Sequence, residues 1–161
     1  MDISRILNAQ WNERGPEDIP MGLWAQVEVI EGATEALELL RGKLPLAIAT
    51  NASVSRRPMI ERALERAGLS GYFEHVFCFT ELGYRKDQYE FWQAVEYGLG
   101  VPLAHVAMVG DSYEQDAAAP RRFGVQGVWF NPNGAAAPEM PGAPAVSRLT
   151  HFSAWVAASA A

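Results

Sequence analysis

From Gly32 onward the chain alternates between two hydrophobic periods. Ala33, Ala36, Leu37 and Leu40 recur at helical spacing, with Gly42 as a stop. The next apolar run, Leu44 to Thr50, is short and continuous, as expected of a parallel strand buried on both faces, and its Pro45 is tolerable only near the strand start. A second helix runs from about Pro58, a good first-turn residue, through Ile60, Ala63, Leu64 and Ala67 to Gly68. His75 to Phe79 reads as a strand. Phe91, Trp92, Val95 and Leu99 mark a helix ended by Gly98 and Gly100, and Val106 to Val109 is the next strand. A helix is expected between Tyr113 and Phe123, in conflict with Pro120, which should kink or shorten it. Gly127 to Asn131 is a further strand, Gly134 to Pro144 an irregular Ala/Pro/Gly loop, and Phe152, Trp155 and Val156 a last short helix.

Helices and strands in strict alternation predict an α/β fold, a three-layer doubly wound parallel sheet with helices on both faces. Residues 1–31 stand apart. Ile6, Leu7, Ala9 and Gln10 suit a short helix, Gly15 to Pro20 a loop, and Leu23 to Ile30 is compatible with helix or extended chain. Trp11 and Trp24 are large apolar surfaces expected to pack this segment on the domain.

Composition narrows the functional classes. At 161 residues and 49% hydrophobic, the chain is long enough for one compact core. The net charge is −6, and the basic residues fall in isolated pairs rather than a stripe, which disfavours nucleic acid as a partner. Cys78 is the only cysteine, so no internal disulfide is available, and no apolar run approaches the ~20 residues of a membrane span. A soluble cytoplasmic protein with no membrane partner is the expectation.

The chemistry concentrates after the strands, because open parallel sheets bind ligands at the carboxyl ends of their strands. The stretch VAMVGDSYEQD, Val106 to Asp116, places Asp111 and Asp116 five residues apart across a loop entering a helix. Two readings are open: a pair of oxygen ligands for a hard cation such as Mg²⁺, or a helix start capped by Asp111 or Ser112 without an ion. Thr50 and Asn51 end one strand and Lys86 lies in the loop after the next. A hydroxyl, an ammonium and two carboxylates on one edge suit a phosphate: Thr50 and backbone amides for its oxygens, Lys86 for its charge, and a cation held by the two Asp as a bridge.

From about Gly32 to Asn131 the chain resembles the core of haloacid dehalogenase-like hydrolases. LPLAIATNAS resembles the second motif, GYRKDQYEFW the third with Lys86, and VAMVGDSYEQD the fourth; AGLSGYFEHV and TELGYRK agree as well. The resemblance implies a Rossmann-like core and, since phosphatase members carry Gly-Asp followed by a second Asp, a Mg²⁺-dependent phosphatase acting on a small phosphorylated metabolite. It also implies Thr50 and Lys86 as catalytic residues, Thr50, Asn51 and Lys86 as phosphate ligands, and Asp111 and Asp116 as metal ligands. Two departures stand out: Asp87 follows the lysine where proline is usual, and Ala119-Pro120 stands where Gly-Ala is common.

The largest departure is the first motif, an apolar strand ending in D-x-D that supplies the nucleophile and the acid/base. No such strand precedes Leu44, and laying Asp2 to Leu7 on it puts Ser4 in place of the acid/base with no strand ahead of Asp2. Residues 1–31 are expected to be a remnant of the helical cap or a linker, and 32–161 the core domain. The absent strand belongs at the centre of the sheet, between those ending at Thr50 and Val109. Each buried backbone group left unsatisfied there costs on the order of 1–3 kcal/mol. The amino-terminal segment, a second copy in a homodimer, or residues outside this sequence are the candidates to fill the slot. In the last case the full-length protein is an ordinary phosphatase and this chain, as given, an inactive fragment of it. The contrasting expectation is a non-catalytic phosphate-binding or protein-interaction module.

Overall fold

The computed structural model describes residues 18–160; Trp11 and the segment Asp2 to Leu7 lie outside the described residues. After a 3₁₀ turn at Met21–Leu23, the order is α1 (Ala33–Leu40), β1 (Ala47–Thr50), α2 (Arg57–Arg66), β2 (His75–Cys78), α3 (Phe79–Leu82) and α4 (Tyr89–Leu99). Then follow a 3₁₀ turn at Leu103–His105, β3 (Ala107–Gly110), a π-helical segment Tyr113–Ala118, α5 (Ala119–Arg122), β4 (Gln126–Phe130), β5 (Ala145–Val146) and α6 (Leu149–Ser159).

All strand pairing among the described residues is parallel, as the alternation requires. β1 runs beside β2 with Ala47 opposite His75 and Thr50 opposite Cys78. β3 runs beside β4 with Ala107 opposite Gln126, and β4 beside β5 with Trp129 opposite Ala145. These form two separate pieces, β1-β2 and β3-β4-β5. Among the described residues no strand lies between β1 and β3, where the sequence places the gap.

The two pieces share their helical layers. Ile48, Val76, Val109 and Val128 point to one face, where they pack with Leu37 of α1, Ile60 of α2 and Phe152 of α6. The alternate residues Ala49, Phe77 and Met108 face the other way, onto Phe91, Trp92 and Val95 of α4. Strand side chains alternate across the pleat, so four residues per strand suffice to feed both layers. Leu37, Ile48 and Ile60 are fully buried, each contributing roughly 1.5–3 kcal/mol of transfer free energy. Both clusters draw residues from both pieces, so the layers, rather than one continuous ladder, hold the sheet together.

Several boundaries differ from expectation for physical reasons. β1 starts at Ala47 rather than Leu44, since Pro45 has no N–H for a ladder. Phe79 leaves the strand and opens α3. Gly98 does not end α4; it lies inside it, and a Cβ there would sit 2.8 Å from the Phe77 ring, so the glycine is a packing requirement and Gly100, at φ +67, is the stop. The conflict at Pro120 resolves as a break: the π-helical segment ends at Ala118, and Pro120 falls in the first turn of α5, where its missing N–H costs nothing.

Residues Trp24 to Ile30 form neither helix nor strand. Trp24 packs on the domain, 3% exposed, its indole N–H donating to the Ile19 carbonyl at 2.8 Å. Arg66 at the end of α2 donates to the carbonyls of Gly22 (3.1 Å) and Trp24 (2.6 Å), which fastens the segment to that helix. No helix among the described residues is long and apolar enough to cross a membrane.

Candidate active site

β1 delivers Thr50 and Asn51 to the carboxyl edge of the sheet. The buried Thr50 hydroxyl accepts from the Ala52 N–H at 3.2 Å, which turns the chain sharply after the strand. Farther along this loop the Ser55 carbonyl accepts from the Thr80 hydroxyl at 2.9 Å, and the Ser55 hydroxyl accepts from the Met21 N–H at 2.9 Å. At the start of α2, Arg57 donates to Glu81 and to the Val76 carbonyl, and this pairing raises its pKa above the ordinary arginine value. The loop after β1 is thereby held against the end of β2.

Asn51 is the hub of the edge. Its side-chain carbonyl accepts from the Lys86 backbone N–H at 2.9 Å, and its amide donates to the Gln115 side chain at 2.7 Å. Its own backbone carbonyl faces the Arg85 guanidinium at 3.4 Å. One side chain thus joins the loops after β1, β2 and β3.

Lys86 is a lysine with 1% of its surface exposed, anchored by its backbone carbonyl accepting from the Trp92 indole at 2.7 Å. Its ammonium donates to Asp116 Oδ1 at 2.5 Å and lies 3.5 Å from the Ala49 carbonyl. Asp116 is fully buried, and its second oxygen accepts from the Ser112 N–H at 2.9 Å. Two opposite charges taken out of water stabilise each other only when close and hydrogen-bonded, which this pair is. Asp87, the departure beside the lysine, is exposed, so its carboxylate is turned toward water while Lys86 points into the site.

The approach of Asp116 depends on Gly110. A Cβ on Gly110 would lie 2.3 Å from Asp116 Oδ2, closer than any non-bonded carbon tolerates. Gly127 plays the same part on β4, where a Cβ would lie 2.3 Å from the Ala117 carbonyl. These two glycines let the π-helical segment press onto the sheet. Such single-turn π segments recur at functional sites because they re-aim side chains.

The helix start is capped by Ser112, whose hydroxyl accepts from the Gln115 N–H at 3.3 Å. Asp111 is not that cap; it is half-buried directly after β3, with its backbone carbonyl accepting from the Trp129 indole at 3.0 Å. Thr50, Asn51, Lys86, Asp111 and Asp116 therefore all lie on the carboxyl edge, with direct side-chain bonding among Asn51, Lys86, Asp116 and the intervening loops. Gln115 was not among the expected residues. Its place one position before Asp116 was the only signal for it.

Asp111 and Asp116 offer carboxylate oxygens, the donor type of hard cations, and two such ligands completed by phosphate oxygens and water make an ordinary Mg²⁺ site. The donor set fits that ion in kind. Among the described residues, no three of His, Cys, Asp or Glu converge on a common point.

A model of haloacid dehalogenase-like hydrolases matches residues 15–124. The chain is 29% identical over 111 residues to the pyrimidine 5'-nucleotidase YjjG of Escherichia coli strain K12, a match covering 68% of this chain and 48% of that protein. It thus spans about half the length of this curated relative. Among solved structures, a HAD phosphatase from Thermococcus onnurineus superposes with a TM-score of 0.69 at 26% identity, covering 80% of this chain and 58% of that one. A 2-haloacid dehalogenase from Pseudomonas syringae pv. Tomato DC3000 shares the fold with a TM-score of 0.71 at 24% identity, over 84% and 56% of the two chains. An uncharacterized protein from Listeria monocytogenes serotype 4b shares it nearly end to end, with a TM-score of 0.76 at 22% identity over 87% and 85%.

Proposed function

The chain belongs to the haloacid dehalogenase-like hydrolase family, and we propose that within it these residues form the phosphate- and metal-binding part of a Mg²⁺-dependent phosphatase for a small phosphorylated metabolite. The observation that carries this reading is the buried Lys86–Asp116 pair at 2.5 Å beneath the end of β1, bridged through Asn51 to the loop that holds Asp111. A dehalogenation site needs no pair of carboxylates set to hold a cation; the matched proteins include ones named as a nucleotidase and a phosphatase as well as dehalogenases, so the carboxylate pair is what favours the phosphatase side.

In this reading Thr50 and the backbone amides after it bind phosphoryl oxygens, Asn51 holds their loop in register with Lys86, and the Lys86 ammonium offsets negative charge as it builds in the transition state. Asp111 and Asp116 would hold Mg²⁺, which supplies Lewis-acid polarisation of the phosphoryl group. No D-x-D pair following an apolar strand precedes Leu44 in the sequence, so in this reading these residues are the binding half of the site and the chain as given is inactive. A second reading, a non-catalytic module derived from the same family, shares that observation.

The test is calorimetric and kinetic together. We expect inorganic phosphate to bind in the presence of Mg²⁺, binding to be lost in Lys86→Ala, and no hydrolysis of an aryl phosphate. A chain that binds neither ion sinks the phosphatase lineage. Turnover removed by Asp2→Asn would overturn the claim that the nucleophile lies outside these residues. Metal-independent phosphate binding unaffected by Asp111→Asn would favour the non-catalytic module.

A further inference from the structure

Two consecutive cationic residues in the loop after α3 reach the end of β1. The Lys86 ammonium lies 3.5 Å from the Ala49 carbonyl, and the Arg85 guanidinium donates to the Asn51 carbonyl at 3.4 Å. Those two carbonyls flank Thr50, so the cations stand on either side of it along the chain. Carbonyls two residues apart in extended chain are separated by about 7 Å, which sets the scale of the spacing between the two charges. The Asn51 side chain, accepting from the Lys86 backbone N–H at 2.9 Å, fixes the Arg85–Lys86 pair at this place.

The two cations differ in what they offer a ligand. Lys86 is buried and bonded to Asp116. Arg85 is exposed at the rim, and among the described residues no carboxylate lies within ion-pair distance of its guanidinium. Acids of the same edge are engaged elsewhere, Glu81 by Arg57 and Glu114 by Arg122. The guanidinium is nevertheless held in place. It stacks over the Phe79 ring, 4.2 Å from the centroid, and the Arg85 backbone N–H donates to the Gln88 side chain at 2.9 Å. An arginine carries five N–H donors in a planar fork, and the contact to Asn51 uses one of them. Stacking sets the plane of that fork in advance, so less freedom is lost when the other donors engage.

We propose that Arg85 is a specificity-determining residue: it receives a second anionic group, carboxylate or phosphoryl, of a substrate whose scissile phosphoryl group lies at Thr50 and Lys86. This rests on the reading of the carboxyl edge as a phosphate site and narrows its substrate class. The preferred substrate is a small phosphomonoester with another negative group at the far end of a skeleton of about three carbons, the length that the spacing of the two cations suits. The fork matches the paired oxygens of either anion. Water competes at an exposed rim, which limits the gain to about fivefold in affinity.

The experiment is calorimetry on the whole chain with Mg²⁺, using glycerol 3-phosphate and 3-phosphoglycerate, which differ only in a hydroxymethyl group against a carboxylate, and glycerol 1,3-bisphosphate for the phosphoryl alternative. Inorganic phosphate is the reference. We expect the parent to bind at least one of the two dianionic-ended probes about fivefold more tightly than glycerol 3-phosphate, and Arg85→Ala to bring that ratio to about one. Arg85→Lys, which keeps the charge without the fork, should give an intermediate ratio. The probe whose advantage Arg85→Ala removes identifies the second group as carboxylate or phosphoryl. Equal binding of all three esters by the parent overturns the proposal while leaving the phosphate site intact. An advantage that survives Arg85→Ala, or a variant that weakens all three esters by the same factor, overturns the assignment to Arg85 in the same way. A parent chain that does not bind inorganic phosphate sinks the phosphate site itself, and the proposal with it. Unchanged urea midpoints, expected for an exposed side chain, show that the variants are folded.

Discussion

The two ends of β1 and β3 are built on opposite principles from the same eight residues of strand. At the carboxyl end the strands are joined by side chains with buried charge: Lys86 on Asp116, Asn51 on Gln115, and both close to backbone groups of the partner loop. At the amino end they are separated by a cleft with almost wholly apolar walls. The polar end is closed and intolerant, because a buried donor or acceptor that loses its partner costs its full desolvation. The apolar end is open and permissive, since its side chains lose only contact area. A site has been kept tight at one end of a sheet whose other end is not filled by any described strand.

The comparison breaks most severely at Lys86. Lys86→Ala removes the ammonium that faces the fully buried Asp116, and is expected to cost about 3–5 kcal/mol, read as a lower urea midpoint. The double variant Lys86→Ala with Asp116→Ala should recover a part of that loss, because the buried carboxylate is then gone as well. If Lys86→Ala is as stable as the parent chain, the carboxyl end is not the tight end.

Next is Gly110→Ala, a single methyl at the same edge. With a Cβ destined to lie 2.3 Å from Asp116 Oδ2, the carboxylate must move, and overpacking of this kind costs about 1–3 kcal/mol. Calorimetry should show weaker Mg²⁺ binding than in the parent, on the proposed role of Asp116. Unchanged stability and unchanged Mg²⁺ binding would mean that the π-helical segment yields freely.

How much of this was legible beforehand differs between the two ends. Thr50, Asn51, Lys86, Asp111 and Asp116 follow apolar runs, and strand direction alone collects them on one edge. The strand expected between β1 and β3 came from the family resemblance, and among the described residues no strand pairs there. What could not be read were relations without a local pattern. The bond from Asn51 to Gln115 spans 64 positions, and no periodicity announces it. β5 is two residues long inside an Ala/Pro/Gly stretch, too short to show alternation, and exists because Pro144 and Val146 carbonyls accept from Trp129 and Asn131. Gly98 looked like a helix end because glycine usually is one, whereas the Phe77 ring needs the space. In each case a tertiary contact decided what local propensity left undetermined.

Gln115→Ala should have a smaller effect. It deletes one part-buried side-chain hydrogen bond of 2.7 Å and leaves Asn51 bonded to the Lys86 N–H, so about 1 kcal/mol is expected. The informative readout is local. Amide exchange at Lys86 and at Ser112 to Asp116 should quicken while α1 and α6 stay as protected as before. A change spread evenly over the chain would show that Asn51 and Gln115 do not specifically bind the two pieces together.

The smallest expected effect has the opposite sign, and that makes it the sharpest test of the contrast. Ala47 lines the cleft from β1 and is only partly buried. Ala47→Val adds two methyl groups to a place with room for them and replaces a weak strand former with a strong one. A gain of about 0.5 kcal/mol is expected, in the range of ordinary cavity-filling changes. Enlarging a residue by one or two carbons then destabilises the carboxyl end of the sheet, at Gly110, and stabilises the amino end, at Ala47. If Ala47→Val destabilises the chain as Gly110→Ala does, the amino end is packed as tightly as the carboxyl end.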